Sequence, residues 1–391
     1  MASRAKWQLS GSSSKAGRAG RLFGNLGLLL LGSAIGLALL EGGARLLPRP
    51  EANGEAAGLH QVRVDRPWLY GLKPGLRVQL RGSGSIEYRI NAAGFRDREA
   101  SVAKRPGVFR AVAIGDSLTF GYGVAFDDTW PRQLESRLAE SGTVTPVEIL
   151  NLGVSGYNAY TEAALFGDLG VSYAPDLVLV QFCINDLNDP TMHFETSTIE
   201  QLPFLPDEAF PDPSTRRSPV LPAPLAHLCW RSRACTLIRE RLAPKLLDEW
   251  IAHRPVGPKA IESGLAPHAR PGALELEWLA RQYGRIAQDA ARIGARFAVV
   301  IFPFREQEHG KDPEPLQESL LELGVRMGWP VIDLLPAFRA AARRDVAPLF
   351  SDLWHPTVAG QRAAADALAT ELVCRGLVPQ APGISCEGVG R

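Results

Sequence analysis

The chain has 391 residues, of which 46% are hydrophobic and 22% charged, with a formal net charge of +1. That balance suits a globular protein with a sizeable core and excludes the strongly basic body of a nucleic-acid binder. The near-neutral total hides an asymmetry: Arg4, Lys6, Lys15, Arg18 and Arg21 all precede the first acidic residue, Glu41.

The cationic cluster leads into Leu22–Leu40, a run with no charged residue. At ~1.5 Å per residue such a helix nearly spans a bilayer core of ~30 Å. Glu41 and Arg45 stand one helical turn apart and can carry the helix on toward Pro48. The expectation is a basic cytoplasmic tail over residues 1–21 and a transmembrane signal anchor over 22–47, with the body exported. A cleaved signal peptide is the competing reading, with Gly42-Gly43-Ala44 offering small residues for cleavage. The apolar run is longer than the ~7–15 residues usual for such a leader.

Residues 48–105 read as a linker and a β-rich preface. GLRVQLRG and SIEYRI alternate in polarity on either side of Gly82-Ser83-Gly84 and predict a hairpin; NAAGFRD, Asn91 to Asp97, follows. A main domain is expected over 106–376, where strand and helix patterns alternate. VFRAVAI ends a first strand at Ile114. DDTWPRQLESRLAES predicts a helix capped by Asp128 or Thr129, with Pro131 tolerated in its first turn. VEILNL is a second strand, Asn158 to Leu169 a helix, and PDLVLVQF a third strand apolar enough to be covered on both faces. A long helix from Leu274, a strand RFAVVIFPF, a helix PLQESLLELGVRMG, a strand PVIDLL and a helix from Thr357 to Cys374 complete the pattern. The alternation implies a three-layer α/β/α sandwich on a five-stranded parallel sheet with flavodoxin-like strand order, preceded by the transmembrane helix.

Residues of about 189–272 break this rhythm and are expected to be an insertion that walls or covers a site. Residues 377–391 are expected to be a disordered tail. Cys229 and Cys235 are close enough in sequence to bridge, although separate partly buried thiols are the preferred reading. There is no C-x-x-C pair and no H-E-x-x-H, so neither a metal nor another cofactor is implied.

The chemistry-bearing residues fall at the ends of the expected strands, the edge where open α/β sheets bind ligands. Ser117 follows the first strand in GDSLTFGYG, placed as a nucleophile. His355 lies in SDLWHPT with Asp352 three residues before it, a spacing at which a carboxylate fixes the tautomer of an imidazole base. Oxyanion donors are expected from the backbone N–H groups of Ser117 and of Gly153 in NLGVSG, and from the side-chain amide of Asn185 in CINDLND. Taken singly, each motif also fits turn or capping chemistry.

The order GDSL, NxGxSG, ND and DxxH resembles the SGNH/GDSL hydrolase superfamily over about residues 108–374, the insertion excepted. The apolar leader and NAAGFRD are similar to an exported bacterial subgroup. The resemblance implies Ser117 as nucleophile and oxyanion donor, Gly153 and Asn185 as further donors, His355 as base and Asp352 as its partner. Cys183 departs from the pattern, standing where the family usually has Gly two residues before the Asn, and is expected to be a buried small residue. Thr357 stands where Asn is frequent, with equal capping ability. Asp116 is expected to cap or hold the turn without a catalytic role, and Asp186 and Asp189 to serve either the substrate rim or the turn.

The expected activity is serine-dependent hydrolysis of a carboxylic ester outside the cytoplasmic membrane, on an acylated glycan or a lipid, without nucleic acid as partner. Acyl transfer to a cell-surface glycan uses the same residues. From a different class, a non-catalytic, membrane-anchored carbohydrate-binding or assembly factor is also compatible with the fold.

Overall fold

The structure is a computed structural model that describes residues 13–46, 59–63, 66–82, 84–187, 232, 234, 270–310, 314–344 and 347–387. The chain divides into two compact units, Met1–Glu51 with Val220–Pro255, and Ala52–Pro219 with Val256–Arg391. The expected insertion, Asp189 and the pair Cys229 and Cys235 lie outside the described residues.

In the first unit, helix α1 runs over Ser13–Leu46. Its segment Gly27–Leu46 is long and apolar enough to cross a membrane. Leu28, Leu29, Leu31, Leu37 and Leu39 are exposed along it. Glu41 pairs with Arg45 at 2.8 Å, and its other oxygen accepts from Ser232 Oγ and the Ala234 N–H.

The second unit is built on five parallel strands: β5 (Phe109–Ile114), β6 (Val147–Asn151), β7 (Leu177–Phe182), β8 (Arg296–Ile301) and β9 (Val331–Asp333). Their order in the sheet is β6-β5-β7-β8-β9, the flavodoxin-like order expected from sequence. Every residue of β7 is buried, as a strand covered on both faces requires. Helices α3 (Trp130–Glu140) and α8 (Val358–Cys374) pack together, as do α4 (Ala159–Asp168) and α5 (Ala273–Arg292). The chain leaves β5 in one direction across the sheet and returns to β7 in the other. Right-handed crossovers therefore put α3 and α4 on opposite faces. Helices α6 (Pro315–Met327) and α7 (Leu335–Arg344) flank β9; α7 went unpredicted. Between β5 and β7 the connections diverge, opening the crevice at the C-terminal strand ends.

Two short antiparallel pairs precede the sheet, β1 (His60–Val62) with β2 (Tyr70–Leu72), and the expected hairpin of β3 (Arg77–Gly82) with β4 (Gly84–Arg89). Sequence reading treated this region as a preface. The structure instead builds it into the body of the sheet unit. The fully buried guanidinium of Arg96 donates to the carbonyls of Phe120, Gly121 and Val124 and lies 4.3 Å from the Tyr88 ring centroid. Asp97 accepts the Asn151 N–H at 2.7 Å, at the end of β6.

The expected disordered tail is also corrected. Leu377, Val378 and Ala381 are buried, the Gly383 N–H donates to Ser141, and a disulfide joins Cys374 to Cys386. Apolar burial and a covalent tie hold a segment whose Pro/Gly composition suggested disorder.

Candidate active site

Strand β5 ends at Ile114, and the chain turns through Gly115 and Asp116 into a one-turn helix, α2 (Ser117–Phe120). Asp116 Oδ1 caps that helix by accepting the Leu118 N–H at 2.9 Å. Its Oδ2 accepts from Asn185 Nδ2, also at 2.9 Å. One carboxylate thus ties the turn after β5 to the turn after β7, a stronger role than the turn-holding expected of it.

Ser117 Oγ lies 2.9 Å from His355 Nε2, and His355 Nδ1 lies 2.7 Å from Asp352 Oδ2. Asp352 Oδ1 accepts the backbone N–H groups of Trp354 and His355, each at 2.8 Å. Burial alone would raise the Asp352 pKa. The bonds from the His355 ring and from these two N–H groups outweigh it and draw the group down to about 2. Asp352 is therefore ionised at neutral pH and accepts a proton-bearing Nδ1, which leaves the Nε2 lone pair for the Ser117 hydroxyl. Tyr122 lies against the imidazole, with ring centroids 4.6 Å apart, and its N–H donates to Ser117 O. Thr357 caps α8 behind this loop, accepting the Gly360 N–H.

The structure alters the expected oxyanion donors. The Gly153 N–H donates to Asn151 Oδ1 at 2.9 Å within the buried start of the loop after β6. A Cβ there would sit 2.5 Å from Phe120 N. Glycine is required at 153 so that this loop can press against α2, and its N–H is not presented to a ligand. Three residues on, half-exposed Gly156 has φ of +84°, and its N–H meets no acceptor among the described residues. The Ser117 N–H is likewise free. The glycine was present in the same motif, but only the fold shows which amide is spent. Asn185 Nδ2 donates both to Asp116 and to the Tyr157 carbonyl, at 2.9 and 2.7 Å, so two protein acceptors already engage it.

Asp186 is buried, and its carboxylate accepts the Cys183 N–H and the Tyr283 O–H. It braces the turn and is no part of a substrate rim. Burial, then the neighbouring Asp116 carboxylate, pushes its pKa well up. Buried Glu162 is pushed well up by burial and then by Asp186 and Asp116. Cys183 is a buried free thiol whose pKa burial raises well above the usual value, which disqualifies it as a nucleophile.

Beside the His355 loop lies a depression of about 390 Å³ lined by Arg305, Glu306, Glu308, His309 and Leu353. Among the described residues, no cluster of His, Cys, Asp or Glu is arranged to hold a metal.

A family model described as the GDSL-like Lipase/Acylhydrolase family matches residues 113–363. A curated arylesterase from Vibrio mimicus is 32% identical over 77 residues, which cover 20% of this chain and 38% of that protein. The match thus spans well under half of the relative's length. The crystal structure of TesA is similar at 14% identity and a TM-score of 0.38, covering 69% of this chain and 99% of that one. An acetylxylan esterase from Geobacillus stearothermophilus is similar at 13% identity and a TM-score of 0.38, covering 66% and 92%.

Proposed function

The chain belongs to the GDSL-like lipase/acylhydrolase family, and from that premise we propose that it hydrolyses carboxylic esters through an acyl-enzyme on Ser117. The observation that carries this is the unbroken chain of hydrogen bonds from Ser117 through His355 to Asp352. Ser117 Oγ attacks the carbonyl carbon as His355 Nε2 takes the hydroxyl proton, and the carbonyl electron pair moves to oxygen. The free N–H groups of Ser117 and Gly156 are the donors available to that oxyanion. Asn185 joins them by bifurcating an Nδ2–H bond that Asp116 Oδ2 or the Tyr157 carbonyl now accepts. Collapse of the intermediate breaks the ester C–O bond, and the alcohol leaves with the proton from His355. Water then repeats the sequence on the acyl-enzyme and releases the acid.

The substrate we infer is an acylated glycan bearing small acyl groups. The depression beside the catalytic loop is lined by four charged or titratable side chains and one Leu, which suits a polar alcohol moiety better than a lipid chain. Export is supported by the basic residues that precede the apolar run Leu22–Leu40 and by the Cys374–Cys386 disulfide, a bond typical of oxidising compartments. In this reading α1 is an uncleaved anchor.

A fluorophosphonate should label Ser117 stoichiometrically, and Ser117→Ala should escape labelling. p-Nitrophenyl acetate should be turned over faster than the octanoate ester, with acetate released from an acetylated oligosaccharide. A folded, unlabelled protein would sink the esterase reading. A preference for long acyl chains would sink the choice of substrate.

A further inference from the structure

His60 lies outside every motif that pointed to catalysis. It belongs to β1, paired in register with Leu72 of β2. Its Nε2 lies 3.0 Å from the carbonyl oxygen of Ser155. That carbonyl is one end of the peptide group whose other end is the Gly156 N–H. A carbonyl offers no proton, so Nε2 is the donor in this contact. A trans peptide is planar, with C=O and N–H pointing in opposite directions. Fixing the oxygen therefore fixes where the N–H points.

The control is needed because a peptide beside a glycine at positive φ can rotate at little steric cost. On the carbonyl side it is held by a residue 95 positions away in sequence. The anchor is itself packed against aromatic rings. The His60 ring meets the Tyr70 ring edge-on at 5.5 Å, and Tyr70 meets Tyr157 at 4.9 Å. The Tyr157 O–H donates to the Tyr70 carbonyl, closing the circuit on the same loop.

We propose that His60 is a positioning residue for ester hydrolysis: it holds the Ser155–Gly156 peptide so that the Gly156 N–H faces the oxyanion. The inference rests on the reading of Ser117 and Gly156 given above. It also gives the N-terminal β-pair a part in the reaction, through one hydrogen bond to a loop that never touches His60 in sequence.

The test compares full-length wild type, His60→Ala and His60→Gln. Gln retains a donor, whereas Ala removes it. Each is titrated with a fluorophosphonate to count competent sites, so that kcat refers to folded enzyme only. Each is then assayed for ester hydrolysis and for inhibition by a trifluoromethyl ketone. That ketone adds Ser117 Oγ and places an oxyanion in the same position as the reaction does.

Loss of one oxyanion donor costs up to about 10²–10³-fold, so misorienting one should lower kcat per titrated site by about 10–100-fold. KM should change by less than about 3-fold. Ketone affinity should fall in parallel with kcat/KM, and His60→Gln should recover most of both. Wild-type kcat per titrated site in His60→Ala would overturn the inference, because His60 would then only support folding. So would a loss confined to KM, or equal losses in the Ala and Gln variants. If wild type itself fails to label at Ser117, the esterase reading falls first, and the two failures are told apart.

Discussion

The two halves of the site are built in opposite ways. On the histidine side, Asp352 makes three hydrogen bonds within four residues of chain, two to His355 and one to the Trp354 N–H, in a loop where the carboxylate is about half exposed. On the serine side nearly every group is buried and tied to a distant part of the chain. Asp116 meets Asn185, Asn151 Nδ2 donates to Thr119 O, Thr119 Oγ1 donates to Gln181, and Tyr157 reaches Tyr70. His355, the proposed base, is positioned by local geometry that needs little from the fold. Ser117 and the proposed oxyanion donors are positioned by the packing of the whole sheet edge. Changes on the first side should therefore cost rate without stability, and changes on the second should cost both.

The largest effect is expected for Ser117→Ala. Without a nucleophile, kcat should fall by more than about 10³-fold, with the melting temperature little changed: Ser117 is the exception on its side, because its partly exposed hydroxyl bonds only His355 among the described residues. Asp352→Asn should follow, at about 10²–10³-fold in kcat, since an amide stabilises neither the Nδ1–H tautomer nor the imidazolium. Its melting temperature should stay within about 2 °C of wild type, because a half-exposed group contributes little to stability. A large drop in melting temperature would show that the histidine loop is not self-contained.

Asn185→Ala breaks the comparison from the other side. It removes donors from Asp116 Oδ2 and Tyr157 O, buried groups whose loss of a partner costs roughly 1–3 kcal/mol each. Both kcat and melting temperature should fall, the latter by about 5 °C or more. A variant that melts like wild type would mean the serine side is not held by this bond.

The smallest effect concerns pH. Burial pushes Asp97 up to about 7, against the opposing pull of the Asn151 N–H and of Arg98. A carboxyl raised in the folded state favours folding while protonated. That contribution is complete below the unfolded value of ~3.9 and is lost as pH rises through about 7. Asp97→Asn, which mimics the protonated form, should therefore gain on wild type by a few degrees of melting temperature between about pH 4 and 7. A pH-independent difference would remove Asp97 from the account.

The same contrast explains what was legible in the sequence. The strands were legible because buried parallel strands such as PDLVLVQF read as continuous apolar runs. The Asp352–His355 pair was legible because its geometry is contained in its spacing. Gly153 was chosen because two glycines stand in one short motif; the Asn151 side chain spends the Gly153 N–H in a local Asx turn, a signal that the motif reading passed over. Helix α7 went unpredicted although its run, LPAFRAAARR, is rich in Ala, Arg and Leu, strong helix formers; that signal was present and was passed over. The packed C-terminal segment was missed because the disulfide partner Cys374 sits inside a helix and gives no pairing cue. His60 was invisible because its partner, the Ser155 carbonyl, is 95 residues away.

Arg96 sets a limit on how far this protein can be trimmed. The family match begins at residue 113, which invites a shortened chain starting just before β5. Such a fragment would lack both Tyr88 and the Arg96 guanidinium that packs against Phe120 and donates to the carbonyls of Phe120, Gly121 and Val124. Those carbonyls, in the segment that follows Ser117, would lose their buried donor. Anyone wanting a soluble, crystallisable version should cut upstream of Leu59, in the stretch that follows α1, and should regard everything from there to Ile114 as part of the working enzyme.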